Sequence, residues 1–198
     1  MNSNELKPFS DCVIEDSVFG WGHGLSIGSM TAGGLHNITV QNIRMHGTES
    51  GFKIKSYLGG GGDISGVRWR NVSLSDVDYP ISMSQTYPAR CEPHCNASFA
   101  PRYNISVRGM HATGIKKGGG PSFLGYPNAS GARPSIHTSD PRFPFSSPPC
   151  TPVLGAHIFA DIADSSFEGP DGVTWTCSHA DVTTEDVTPT PKPGACTA

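Results

Sequence analysis

A histidine flanked by two glycines is the residue pattern most suggestive of chemistry in this 198-residue chain. His23 lies between Gly22 and Gly24 in the string GHGLSIGS, immediately before a short alternating apolar segment. Glycines at such a position let the backbone approach a ligand closely and leave the imidazole exposed. A lone histidine is more often an ordinary loop residue, so the interpretation depends on which side chains other segments place beside it.

Two lysines and a tyrosine follow in later segments of the same kind. Lys53 and Lys55 alternate with apolar residues, which directs both ammonium groups to one face of a predicted strand, and Tyr87 follows the next segment. If successive segments stack about 4.8 Å apart, these side chains and His23 form one outward column. Ammonium groups bind carboxylates and a phenol stacks on or hydrogen-bonds a sugar ring, so the column predicts a groove for a polyanionic sugar. A solvated pair of lysines and a tyrosine that caps the core are the plainer alternative.

The elements that would position this column are short, repeated, alternating strands. One set of bursts recurs at Ile14, Val40, Trp69 and Val107, with the last step longer than the first two. A second set recurs at Leu25, Phe52 and Ile81, with nearly equal steps. Two strand types in fixed order, with a period in the twenties, are typical of a solenoid. We predict an all-β parallel β-helix, with the first apolar residues of each burst inward and Asn or Asp at the turns bonding the next coil.

Composition narrows the class of protein further. The 24 glycines and 17 prolines exclude a helical bundle, which needs long amphipathic runs without glycine. The charges nearly cancel, with 14 Lys and Arg against 17 Asp and Glu, which argues against nucleic acid or an anionic membrane as a partner. The Pro/Gly-rich stretch at about 88–155 is predicted to form long loops over one face. The strand pattern returns weakly at Ile158 and at Val173.

The six cysteines and five N-x-[ST] sequons favour an oxidising, extracellular compartment and a secreted glycoprotein. The sequons stand at Asn37, Asn71, Asn96, Asn104 and Asn128, and the cysteines are Cys12, Cys91, Cys95, Cys150, Cys177 and Cys196. We expect a loop disulfide between the second and third cysteines rather than a zinc hook, because no second Cys/His pair has ligand spacing. The fifth and sixth would staple the tail, and the other two stay unassigned.

The two motifs of the column resemble those of glycoside hydrolase family 28, the polygalacturonases and their relatives. The likeness rests on GHGLSIGS and on the string GFKIKS, which follows one period later and begins at Gly51. It covers residues 11 to about 90 and recurs in the closing segment from Trp175 to Cys196, whereas about 90–155 is not recognisable. The resemblance implies a right-handed, pectin-lyase-like parallel β-helix and inverting cleavage of α-1,4-galacturonosyl linkages in pectic polysaccharide, without a cofactor.

The resemblance also implies roles for individual residues. His23 matches the family's active-site histidine, Lys55 its lysine and Tyr87 its substrate-contacting tyrosine, while the glycines beside His23 complete the motif. Lys53 stands where the family usually has arginine. It keeps the positive charge but loses the bidentate fork that suits a carboxylate.

The family's catalytic aspartates lie in N-T-D and D-D strings, and neither string occurs here before His23. Inverting hydrolysis needs one carboxylic acid and one carboxylate on opposite faces of the sugar. Asp11 is a poor substitute, because it precedes His23 by less than half of a period and would lie one strand earlier on the same coil. It and its neighbours Glu15 and Asp16 are predicted to be turn residues.

We therefore expect a single partial domain over 1–198, incomplete at the N-terminus, from a longer secreted and monomeric hydrolase that has lost its signal peptide here. On this reading the chain is inactive on its own. The alternative is a non-catalytic β-helix that binds oligogalacturonate without cleaving it. A purely structural solenoid would leave the column of His23, Lys53, Lys55 and Tyr87 unexplained, and a pectate lyase would need an acidic calcium cluster that the sequence lacks.

Overall fold

The regular structure in the described part of the chain consists of parallel strands without helices. A computed structural model describes residues 7–29, 33–56, 63–86, 103–116, 119–125, 158–178 and 180–191. The strands are β1 (Phe9–Gly22), β2 (Leu25–Ile27), β3 (Leu35–Thr48), β4 (Ser50–Lys55), β5 (Ile64–Ser75), β6 (Tyr79–Ser84), β7 (Tyr103–Thr113), β8 (Ser122–Leu124), β9 (Ile158–Phe167), β10 (Thr176–Ser178) and β11 (Ala180–Thr188). The all-β class predicted from the alternating pattern is confirmed.

The chain alternates between two sheets as it winds around one core. The long strands form a six-stranded sheet in the order β1-β3-β5-β7-β9-β11, and the short strands form a five-stranded sheet in the order β10-β8-β6-β4-β2. Each strand pairs in parallel with its counterpart in the next coil. This arrangement is the parallel β-helix that the repeat predicted.

The register of the coils agrees with the sequence repeat residue by residue. In the long strands the paired positions are Ile14, Val40, Trp69 and Val107, and in the short strands they are Leu25, Phe52 and Ile81. These side chains point inward: Phe52 stacks on Trp69 at a ring-centroid distance of 4.3 Å, and both are buried. Because identical positions stack, each coil buries its apolar face on the coil before it.

Part of the stretch predicted to be loop-rich is regular strand. β7 carries the burst at Val107, but nothing in the apolar pattern indicated β8, which is only three residues long and lies among glycines and prolines. β8 pairs with β6, and its Phe123 is fully buried. β11 was also missed, because Thr184 at an inward position interrupts its apolar alternation. Within 88–155, all residues other than 103–116 and 119–125 lie outside the described part of the chain.

Each long strand bends at fixed positions, where the backbone has a positive φ. The column at the central bend contains Asp16, Asn42, Asn71, Gly109, Asp164 and Asp186. These are the residue types that tolerate the left-handed conformation. Asn42 Nδ2 donates to Asp16 Oδ1 over 3.0 Å, and Asn71 Nδ2 donates to Asn42 Oδ1 over 2.8 Å. The predicted bonding of turn Asn and Asp residues between coils is therefore confirmed.

The acidic residues of β1 differ in their local role. Asp11 and Asp16 occupy bends, with φ of 59° and 50°, as predicted for turn residues. Glu15 was predicted wrongly, because it lies in extended strand between the bends, where its carboxylate accepts a hydrogen bond from Gln41 Nε2 over 2.6 Å. Within the described residues, no helix has the length and apolar character needed to span a bilayer.

The central bend column predicts the ranking of two variants of Asn42. Asn42→Ala removes both side-chain bonds and the polar group with which asparagine tolerates a φ of 55°, so we expect a loss of about 1–3 kcal/mol in unfolding free energy. Asn42→Gly loses the same bonds without the left-handed penalty, and glycine already occupies this column at Gly109. Urea titration followed by circular dichroism should place the glycine variant between wild type and the alanine variant. The reverse order would contradict this account of the bend.

Candidate functional site

His23, Lys53 and Lys55 lie where the first two coils of the described structure pass from the long to the short strands. His23 follows β1 and directly precedes β2, and one coil later Lys53 and Lys55 lie on β4. Both lysines are half-buried and alternate with the fully buried Phe52 and Ile54, which confirms the predicted alternation. Lys53 pairs in register with Ser26 of the preceding coil. The sheet therefore places the histidine and both lysines on adjacent coils.

Gly24 is required by the close contact between these two coils. It has a φ of 80°, and a Cβ built on it would lie 1.7 Å from the carbonyl oxygen of Ser50. Gly28 is similar, because its Cβ would lie 1.8 Å from the carbonyl oxygen of Lys55. A Cβ on Gly22 would meet nothing within 4 Å. The packing of β2 on β4 thus accounts for Gly24 without any contact to a ligand.

A carboxylate that sequence reasoning missed joins the two coils. Glu49 Oε2 bonds His23 Nδ1, and Glu49 Oε1 accepts a hydrogen bond from Lys53 Nζ over 2.6 Å. The His23 side chain is 84% exposed, whereas that of Lys53 is only 13% exposed. A single carboxylate therefore fixes a nearly buried ammonium group and tethers an imidazole that is open to solvent.

The two partners of Glu49 also set its protonation state. The hydrogen bond from Lys53, and then that from His23, hold the pKa of Glu49 below its ordinary value, although partial burial opposes the shift. Glu49 is consequently a stable carboxylate. A general acid for glycoside cleavage needs the opposite environment, one that raises its pKa. Glu49 is thus suited to positioning its neighbours rather than to donating a proton.

The structure brings His23, Lys53 and Lys55 to neighbouring coils, while Tyr87 lies outside the described residues. Glu49 could have been found from two spacings: it lies 26 residues after His23, one coil step, and four residues before Lys53. A carboxylate one step from a candidate histidine should be considered together with the cations beside it.

Asp11 is remote in the fold from this cluster. It lies in the six-stranded sheet, at the first bend of β1, whereas His23 precedes the five-stranded sheet. Its carboxylate accepts hydrogen bonds from Asn37 Nδ2 and Ser10 Oγ, each over 2.7 Å. These bonds, that from Asn37 first, lower the pKa of Asp11. Its side chain is explained by the bend between coils.

Several other predicted features fall partly within the described residues. Cys12 is a free, half-buried thiol, and each predicted disulfide includes a residue outside the described ranges. The sequon residues Asn37, Asn71 and Asn104 are exposed, and their glycosylation stays a prediction. No group of three or more His, Cys, Asp or Glu side chains suited to a metal ion occurs within the residues that the structure covers.

Comparison with known proteins identifies the family. The family model for glycosyl hydrolases family 28 matches residues 6–118, more than half of the chain, and the chain belongs to this family. The match extends through β7, beyond the limit of about 90 set by the motifs.

Several relatives carry the name polygalacturonase. A polygalacturonase from Ralstonia nicotianae is 30% identical over 189 residues, 91% of this chain and 35% of that protein. Polygalacturonase-2 from Solanum lycopersicum is 42% identical over 78 residues, 37% of this chain and 17% of that protein. An endo-polygalacturonase from Pectobacterium parmentieri is 45% identical over 69 residues, 35% of this chain and 17% of that protein. The chain thus spans about a sixth to a third of these relatives' length.

The contact at Gly24 predicts a large difference between two glycine variants. Gly24→Ala must displace the backbone of Ser50, so we expect a loss of about 2 kcal/mol or more in unfolding free energy. Gly20→Ala is the matched control, because its Cβ would lie 3.7 Å from the nearest atom, the carbonyl oxygen of His46. We expect it to change stability by less than about 0.5 kcal/mol in the same urea titration. Equal stabilities for the two variants would contradict the close approach.

The lowered pKa of Glu49 predicts how stability depends on pH. Its folded-state pKa is depressed, so the contribution is complete above the unfolded pKa, about 4.3, and is lost as the pH falls through the folded value. We expect Glu49→Gln to be less stable than wild type at pH 7 and the difference to shrink below pH 4. Urea titrations at pH 7, 5 and 3 measure it. A difference that grew on acidification would rule out the assigned charge state.

Proposed function

We propose that this chain is part of a pectin-degrading glycoside hydrolase of the polygalacturonase type, which cleaves α-1,4-galacturonan with inversion. The observation that carries the proposal is the Glu49 carboxylate, which fixes Lys53 and His23 side by side on adjacent coils. Membership of the family and the names of the relatives support the reaction class. A galacturonan partner fits because its repeating carboxylates match the cations of the site.

Lys53 and Lys55 would bind substrate carboxylates in this proposal. The ammonium group of Lys53 is held in place by Glu49, so little of its rotamer freedom remains to be lost on binding. Lysine offers a point charge rather than a bidentate fork, which predicts a less directional contact than arginine would make. Tyr87 would stack on or hydrogen-bond a sugar ring, and Gly22 would keep the backbone beside His23 open, whereas Gly24 serves the packing of the two coils.

His23 would orient the reacting groups at the exposed end of the cluster. Its Nδ1 atom is engaged by Glu49, which fixes the ring and leaves Nε2 for substrate or for a catalytic carboxyl group. The acid and the base of an inverting mechanism are two carboxyl groups about 6.5–9.5 Å apart. Neither Glu49 nor Asp11 is assigned to these roles: hydrogen bonds hold both as carboxylates, which excludes the acid, and the lowered pKa makes each a weak base. We also propose an extracellular, monomeric protein.

A second candidate is an oligogalacturonate-binding β-helix without catalysis. The engagement of Glu49 by two partners favours it, because this carboxylate at the cluster serves binding rather than proton transfer. Both candidates predict sugar binding at the same residues. They differ only in whether reducing ends are released.

The test is a calorimetric titration of the 198-residue chain with oligogalacturonate, combined with a reducing-end assay on polygalacturonate. Lys53→Ala should weaken binding about tenfold or more, because it removes a charge-assisted contact, and Lys53→Arg should restore it. Arg70→Ala is the charge-matched control, since Arg70 is exposed on the six-stranded sheet. Equal affinities of the Lys53→Ala variant and wild type would overturn the proposed site.

The reducing-end assay then separates the two candidates. Release of reducing ends that falls with His23→Ala supports the hydrolase. Tight binding without release supports the binding protein, and release unaffected by His23→Ala contradicts the role given to the histidine.

A further inference from the structure

An exposed tryptophan stands at a bend position that otherwise holds small residues. Trp21 has a φ of 52°, and the same column continues with Gly47, Asp76 and Gly114 in the next three coils. A bulky side chain is a conformational outlier there, and such outliers concentrate where function requires them. Trp21 is also 81% exposed, so burial does not explain its presence.

The next coil supports the ring of Trp21 without covering it. Gly47 lies beneath the indole, because a Cβ at that position would come within 3.2 Å of two indole carbons. The indole also meets the ring of His46 edge to face, at a centroid distance of 5.6 Å. A supported and solvent-exposed indole is an apolar platform of the kind on which sugar rings stack.

A groove of about 520 Å³ on the outer face of the long strands is lined in part by His46, whose ring the indole contacts. Its size is within the range of ligand sites. Two columns form its floor, one through Arg44, Ser73 and His111 and the other through His46, Ser75 and Thr113. Val18 of β1 also lines the groove, which therefore spans four coils. At a spacing of about 4.8 Å between coils, the groove is about 14 Å long along the solenoid axis, enough for several sugar units in line.

The groups in the groove are arranged for an anion. In the part of the chain that the structure describes, no carboxylate lies within ion-pair distance of Arg44, which is exposed. His46 Nδ1 and His111 Nδ1 bond Ser75 Oγ and Ser166 Oγ, each over 3.0 Å, which fixes the rings and leaves Nε2 of each for a ligand.

One carboxylate opposes this charge. Asp76 Oδ2 lies 3.3 Å from His46 Nδ1 and places a negative charge at that end of the groove. Arg44 and His111 therefore provide most of the attraction for an anion. Neither belongs to the motifs on which the family resemblance rests.

We infer that Trp21, Arg44, His46 and His111 form an accessory binding site for uronate-containing oligosaccharides, separate from the His23 cluster. The indole stacks on a sugar ring while the arginine and the histidines bind carboxylates along the groove. The two sites lie on different sheets of the same coils, joined by the bend at Trp21. The choice of a uronate as ligand rests on the proposed function, whereas the groove and its charge do not.

The fluorescence of Trp21 gives a direct test. Of the three tryptophans, Trp69 is buried, and Trp175 is packed on Phe123 and donates to the carbonyl oxygen of Pro189 over 2.9 Å. Acrylamide should therefore quench Trp21 preferentially. Saturating hexagalacturonate should protect it at least twofold, whereas the neutral xylohexaose should not. Trp21→Phe should lose the signal and retain most of the binding.

Two charge variants locate the ligand. Arg44→Ala should raise the half-saturation concentration for protection of Trp21 about tenfold or more, and the exposed Arg70→Ala should leave it unchanged. Circular dichroism checks that each variant is folded. Lack of protection in wild type, equal protection by xylohexaose, or equal loss in both variants would overturn the accessory site.

Lys53→Ala distinguishes this inference from the proposed function. If that variant keeps both its calorimetric affinity and the protection of Trp21 while Arg44→Ala loses the latter, the proposed cluster fails and the groove stands. If Lys53→Ala loses affinity and Arg44→Ala does not alter protection, the groove fails and the cluster stands.

Discussion

Parallel pairing in strict register is the constraint on which every other feature of this molecule depends. Each coil must turn at the same places as the coil before it, because a slip of one residue would turn its apolar side chains to solvent. The left-handed bend residues fix those places. At the central bend, Asp16, Asn42 and Asn71 combine a backbone conformation that few residues accept with side-chain bonds to the neighbouring coil. The turn and the contact between coils are thus provided by the same residue.

The same stacking explains how distant residues of the chain form local clusters. Glu49 meets His23 because the two are one coil step apart, and it meets Lys53 because it lies at the bend that leads into β4, four residues before the lysine. At the bend between the sheets, the indole of Trp21 packs closely on the backbone of Gly47 because glycine has no side chain. In both cases the side chains that form the cluster come from adjacent coils rather than from one continuous motif.

The repeat was readable from sequence because it reflects burial. Positions such as Val40 and Trp69 must be apolar at a fixed step, and this pattern led to the correct pairing. The short strand β8 and the polar strand β11 were not readable, because the neighbouring coils and not their own composition hold them in place. At the site, the cations were found from their alternation. Glu49 was missed since its importance depends on a contact 26 residues away.

The pairing of β7 with β9 shows that the register between two coils does not depend on the length of the chain that connects them. Met110 N–H donates to Ser165 Oγ over 3.1 Å although 55 residues separate them, about twice the usual step. Adjacent coils therefore stay aligned whatever number of residues the chain inserts between them. Insertions and deletions at that point can accumulate during evolution at little energetic cost to the ladder. The connections between coils can consequently diverge in length and sequence while the ladder of coils itself is inherited unchanged.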